Sequence, residues 1–119
     1  MRSSERTVAA VHAAFYLGTG LWPLVDRGSF ERVTGRKTDF WLAQTVGLTV
    51  AAVGAGLAQA GARGRPVAPE LRTVACAVAT ALALVDVTFV VRRRISPVYL
   101  LDAAAEAALV GAWSRARRA

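Results

Sequence analysis

The sequence predicts an all-α integral membrane protein, a four-helix bundle with short connectors, and three observations carry that reading. Hydrophobic residues make up 55% of the 119-residue chain, and mean hydropathy is +0.39. The apolar residues fall into four runs separated by charged connectors, each close to the roughly 20 residues that cross a hydrocarbon core of about 30 Å. Three acids, Asp86, Asp102 and Glu106, lie inside these runs and not between them. A carboxylate at membrane depth costs about 2.5–3.5 kcal/mol on insertion scales, so it is kept only where it is paired, protonated or faces a cavity.

The first span is expected over residues 7–25. Its basic start followed by an apolar stretch imitates a signal peptide, but no small-x-small cleavage site follows promptly, so an uncleaved first span is expected. The second span, 40–62, follows Thr38-Asp39 as an N-cap and opens with Phe40-Trp41 as an interfacial aromatic anchor. The third, 69–91, starts at a first-turn proline, Pro69, and ends before Arg92-Arg93-Arg94. The fourth, 97–113, opens with Ser96-Pro97, again cap then proline, and leaves a frayed basic tail from Ser114 to Ala119. These four spans fill the chain as one domain, residues 1–119.

The fourth span is short and holds two carboxylates, so it is expected to enter as a hairpin with the third. That hairpin sets Asp86 and Asp102 at similar depth, five residues from the turn on either side, with Glu106 one helical turn further on the same face. The second span carries small residues at Gly47, Ala51, Ala55 and again at Gly54, Ala58, Ala62. Such registers let helices approach closely, inside the bundle or across a homodimer.

Net charge is +7. The basic residues cluster at the ends of apolar runs, where they contact anionic headgroups, and no basic-aromatic interleaving points to nucleic acid. If the N-terminus is cytoplasmic, eight arginines fall on that side (2, 6, 63, 65, 72, 115, 117, 118), against seven basic residues on the other (27, 32, 36, 37, 92, 93, 94). That balance favours both termini inside, by one charge. The Ala, Arg, Val and Gly bias fits a high-GC bacterial genome, and the expected location is the bacterial inner (cytoplasmic) membrane.

The expected polar centre gathers Asp86, Asp102 and Glu106 with His12, Tyr16 and Gln44. His12, Tyr16 and Thr19 form one stripe of the first span, spaced by four and three. The acids would bind a cation or exchange protons, with the other three as polar partners. The same residues also suit a helix–helix lock in a structural or assembly subunit. The connector from Asp26 to Asp39 is the longest, and its Ser29–Val33 stretch is expected to form one interfacial turn stopped by Gly35. Arg32, Arg36 and Lys37 in that connector are candidates for a headgroup or anion contact.

Ligand types at His12, Asp102 and Glu106 could hold a metal, but no ligand motif accompanies them, so no metal and no cofactor are expected. Cys76, the single cysteine, sits among Ala and Val and reads as a packing residue. A lipid-modifying enzyme using two carboxylates lacks a nucleophile motif, and enzymatic activity is not expected. The expected partners are the bilayer, a cation or amphipathic small molecule, and a second copy of the chain, since alternating access leaves little room in one bundle.

Tyr16-Leu-Gly-Thr-Gly-Leu-Trp-Pro23, with Ser29-Phe-Glu-Arg-Val-Thr-Gly-Arg-Lys-Thr-Asp-Phe-Trp41, resembles a family of small four-span bacterial membrane proteins of uncharacterised activity. The resemblance covers the first half of the chain. It implies the four-helix architecture and brings no activity with it.

Overall fold

The computed structural model describes residues 2–118, and their secondary structure is helical throughout. The elements are α1 (Arg2–Val25), α2 (Arg27–Thr34), α3 (Phe40–Ala62), α4 (Pro69–Val91) and α5 (Tyr99–Arg118). α3 and α4 keep the expected limits, whereas α1 starts five residues earlier. α5 runs from Tyr99, two residues later than expected, through the segment expected to fray. Ala116 there is buried, which holds the last turns in place; Ala119 lies outside the described residues.

Three helices are long and apolar enough to cross a membrane, over Ser4–Val25, Phe40–Ala62 and Pro69–Val91. The expectation of four such spans is corrected here. α5 carries Asp102 and Glu106 in its first half and Arg115, Arg117 and Arg118 at its end, so its composition alone does not qualify.

Two antiparallel hairpins make the fold. α1 pairs with α3, α4 pairs with α5, and α1 against α5 joins the two, while α3 and α4 touch little. The α1–α3 seam is set by glycines. A Cβ at Gly20 or at Gly47 would run into the other's backbone, and one at Gly54 would press on Tyr16 and Leu17. Gly61 does the same against Ala10, so the contact repeats every seven residues along α3. This seven-residue line cuts across the two expected stripes: Ala55 and Ala62 are exposed, and Gly47, Ala51 and Gly54 are buried.

At the end where the chain begins, Glu5 bonds Arg72 at 2.7 Å, and Arg6 donates to the Arg63 carbonyl at 3.1 Å. The opposite end carries the connector, which forms a two-turn helix instead of one turn. Asp26 caps α2 by accepting from the Ser29 N–H, and Gly35 ends it at a φ of 98° that favours glycine. α2 folds back on α1 because Trp22 donates to Ser29 Oγ at 2.8 Å. Trp22, Phe30 and Phe40 then stack edge to face, with the Arg27 guanidinium 4.4 Å from the Phe40 ring centroid. Phe40 is therefore a buried floor for α2 and not an interfacial anchor; Trp41 beside it is exposed. Asp39 occupies the N-cap position of α3 without a side-chain cap bond, whereas Ser96 Oγ does accept from the Val98 N–H.

α4 closes with a six-to-one bond, Arg94 N–H to Phe89 carbonyl, around Arg93 at φ 59°. Glycine is the usual occupant of that position.

The distribution of polarity is inverted relative to a water-soluble bundle. His12, Asp86 and Glu106 are buried, while Val11, Leu48, Leu84, Val87, Phe89 and Leu101 face outward.

Candidate functional site: an acid cluster between two hairpins

α5 supplies the centre of the site. Asp102, Glu106, Leu109 and Trp113 recur at spacings of three and four, so one face of the helix carries two acids and an indole. α4 contributes Asp86 from the buried line Ala75, Ala79, Asp86. Asp86, Asp102 and Glu106 line one cavity together, and the Asp102 carboxyl is close enough to interact with both of the others. Among the described residues the buried Asp86 Oδ2 has no hydrogen-bond partner.

α1 closes the cluster from the other hairpin. The Tyr16 hydroxyl donates to Glu106 Oε1 at 2.7 Å, fully buried. One turn away, the His12 ring meets the Tyr16 ring edge to face, with centroids 4.2 Å apart. Trp113 Nε1–H donates to His12 Nδ1 at 3.1 Å. An indole N–H only donates, so His12 Nδ1 is an acceptor and the ring proton sits on Nε2, which is buried without a partner among the described residues. Asp86, Asp102, Glu106, Tyr16, His12 and Trp113 thus follow one another through the core and across both hairpins.

A cavity of about 340 Å³ opens beside the acids. Asp86, Asp102, Glu106 and Thr19 line its inner part, and Phe30, Lys37, Asp39, Ile95 and Tyr99 its outer end. On the α3 side its wall is apolar: Leu42, Ala43, Val46, Gly47 and Val50.

The structure brings together the three acids and Tyr16, with His12 in ring contact with Tyr16. Gln44 does not join them. It is half-buried and absent from the cavity wall, because it lies about 100° round the helix from Ala43. The three basic residues of the connector also separate. Lys37 turns into the cavity mouth, while Arg32 and Arg36 are exposed. Lys37 Nζ donates to the carbonyls of Thr34 and Gly35 and to Thr34 Oγ1, and stands 5.3 Å from the ring centroids of both Phe30 and Tyr99.

Sequence reasoning missed Trp113 and Tyr99. Trp113 was legible in principle, since it stands seven residues after Glu106 on the same helical face. Tyr99 was not, because its role depends on where α2 places Lys37. Compared with known proteins, the chain matches no family model, and no curated protein and no solved structure is significantly similar to it.

Proposed function

We propose that the protein is a four-span integral membrane bundle that binds or transports a cation or a proton-coupled solute at Asp86, Asp102 and Glu106. The observation that carries this reading is the convergence of three carboxyls from two helices beside a cavity. Two acids would suffice to lock a hairpin, and a third on the cavity wall leaves exchange capacity.

Membrane insertion is supported by the inverted polarity and by three helices of sufficient length and hydropathy. α5 is taken as the fourth span because its acids face inward while Leu100 and Leu101 face out. Its 20 residues reach about 30 Å at 1.5 Å per residue. The membrane is read as a bacterial cytoplasmic one with both termini inside, and transport would call for a homodimer.

The test is a pH titration of the purified protein in lipid nanodiscs, followed through its carboxyl infrared bands. Wild type is compared with Asp86→Asn, Asp102→Asn and Glu106→Gln. A protonated carboxyl band that changes between about pH 5 and 8 and is lost in a variant that stays folded supports an exchanging site. Bands fixed across that range, with variants that unfold, reject it.

The second reading, a structural or assembly subunit, is favoured by one specific contact. Tyr16–Glu106 is a buried bond between the two hairpins and would serve as a lock. In that reading Asp102→Asn costs folding or partner assembly and no ligand or proton response exists to be lost.

A further inference from the structure

The acid cluster can be approached from two directions, and they differ in chemistry. Toward the connector, Lys37 closes the cavity. Its ammonium is fixed by three hydrogen bonds to Thr34 and Gly35 and is flanked by Phe30 and Tyr99. A cation arriving from water meets that fixed positive charge first.

Toward the side, the cavity has walls on both α3 and α4, which touch each other little. Val46 of α3 and Val85 of α4 both line the cavity and are both about half exposed, at 52% and 49%. They form the two lips of a slit. Behind them the wall stays apolar through Val50 and Leu82 until it reaches Asp86, Asp102 and Glu106. In a membrane the lips stand among lipid tails, so the slit has hydrocarbon at its entrance and carboxyls at its floor.

We infer that the slit between α3 and α4 is a lateral portal, and that the ligand is a single-chain amphiphilic amine or ammonium. Its head sits at the acids and its tail leaves between Val46 and Val85. The inference rests on the membrane-site reading above and narrows it to a ligand class and a route. The cavity volume is near the lower end of the roughly 300–1,000 Å³ typical of small-molecule sites. It suits a head and the first part of a chain.

Charge balance adds a signature. An uncompensated charge in hydrocarbon is costly, so entry of one ammonium is matched by release of one carboxyl proton to water. One O–H bond is broken and no other covalent change occurs. The groups facing the head are Asp86 from α4, Tyr99, Asp102 and Glu106 from α5, Tyr16 from α1 through Glu106, and Lys37 and Asp39 from the connector; α3 presents no titratable group to the cavity. Affinity therefore rises with pH, by about tenfold per unit while the exchanged proton is still held.

The test uses the full chain in phosphatidylcholine nanodiscs with decyltrimethylammonium, tetramethylammonium and decyl sulfate as calorimetric probes. Proton release is obtained from buffers of different ionisation heat. Decyltrimethylammonium is expected to bind at least about tenfold tighter than either other probe, releasing one proton. Val46→Trp fills the slit and is expected to weaken that binding by about tenfold or more while the carboxyl infrared titration stays as in wild type. Val85→Trp does the same from the other lip and serves if Val46→Trp alters the fold. Lys37→Met removes a positive charge that faces the head and is expected to strengthen tetramethylammonium binding by a larger factor than decyltrimethylammonium binding, whose route runs between the helices. Equal affinity for the two ammonium probes, or binding unaffected by either tryptophan, overturns the lateral portal even where the carboxyls titrate. Carboxyls that do not titrate at all overturn the underlying site as well.

Discussion

Tyr16 donates its hydroxyl to Glu106 Oε1 at 2.7 Å across the seam where the two hairpins meet. That seam is thinner than either hairpin's own interface, and this bond crosses it beside the acids, with Trp113–His12 and Glu5–Arg72 crossing it further along. Tyr16→Phe keeps the ring against His12 and removes the donor. The variant is expected to lose about 1–3 kcal/mol, the usual cost of leaving a buried acceptor unmatched. Equilibrium unfolding in mixed micelles measures it, and a loss near zero would mean that Glu106 takes its hydrogen bond elsewhere.

The glycine seam makes a sharper stability forecast. Gly47→Val drives a branched side chain into the Gly20 carbonyl and Pro23 and is expected to destabilise by at least about 1–3 kcal/mol. Gly56→Ala on the same helix meets nothing within 4 Å, and is expected to gain about 0.5–1 kcal/mol from helix propensity. Thermal melts of the two variants should move in opposite directions.

Trp113 holds His12 in one tautomer. The 15N shifts of His12 should report a protonated Nε2 and an unprotonated Nδ1 in the wild type, with that preference lost in Trp113→Phe. An unchanged tautomer in the variant would show that the indole bond does not set it.

The connector has a pH response of defined sign. Asp26 is held below the usual carboxylate range by the backbone N–H and hydroxyl of Ser29, and Glu31 is held below it by the Lys37 backbone N–H and by Arg27. A depressed acid contributes stability that is full above its unfolded pKa, about 4, and is lost as pH falls through the folded value. α2 is therefore expected to fray on acidification below about pH 4, seen as loss of amide protection from residue 27 to 34. Asp26→Asn keeps a capping side chain and should remove the part of that response due to Asp26.

Arg93 sits at φ 59° in the position that closes α4. Arg93→Gly is expected to raise stability by about 1 kcal/mol, the order of the left-handed penalty on an L-residue. A fall in melting temperature would place the turn's stability in the Arg93 side chain instead.

Much of this was legible in the sequence, and what was not has physical causes. The limits of α3 and α4 follow from Phe40 after a polar break, Pro69 at a first turn and the arginine run after Val91. The juxtaposition of Asp86 and Asp102 followed from counting residues on either side of a short turn. The expectation of α5 as a fourth apolar span failed because Asp102, Glu106 and the terminal arginines leave it too polar, and pairing it with α4 in a hairpin does not change that composition. Gln44 was misplaced since small-residue stripes leave rotational phase open, and phase was set by Gly20 against Gly47. The basic connector looked like one cluster, but a two-turn α2 sends Lys37 inward and leaves Arg32 and Arg36 outside.

The central claim is that Asp86, Asp102 and Glu106 share protons at one place inside the bundle. Solid-state NMR of protein labelled with 13C at Asp and Glu carboxyls, in bilayers at neutral pH, tests it most directly. The account predicts carboxyl–carboxyl cross-peaks from Asp102 to both Asp86 and Glu106, with at least one of the three at a protonated shift. Three fully ionised carboxyls without cross-peaks would contradict it.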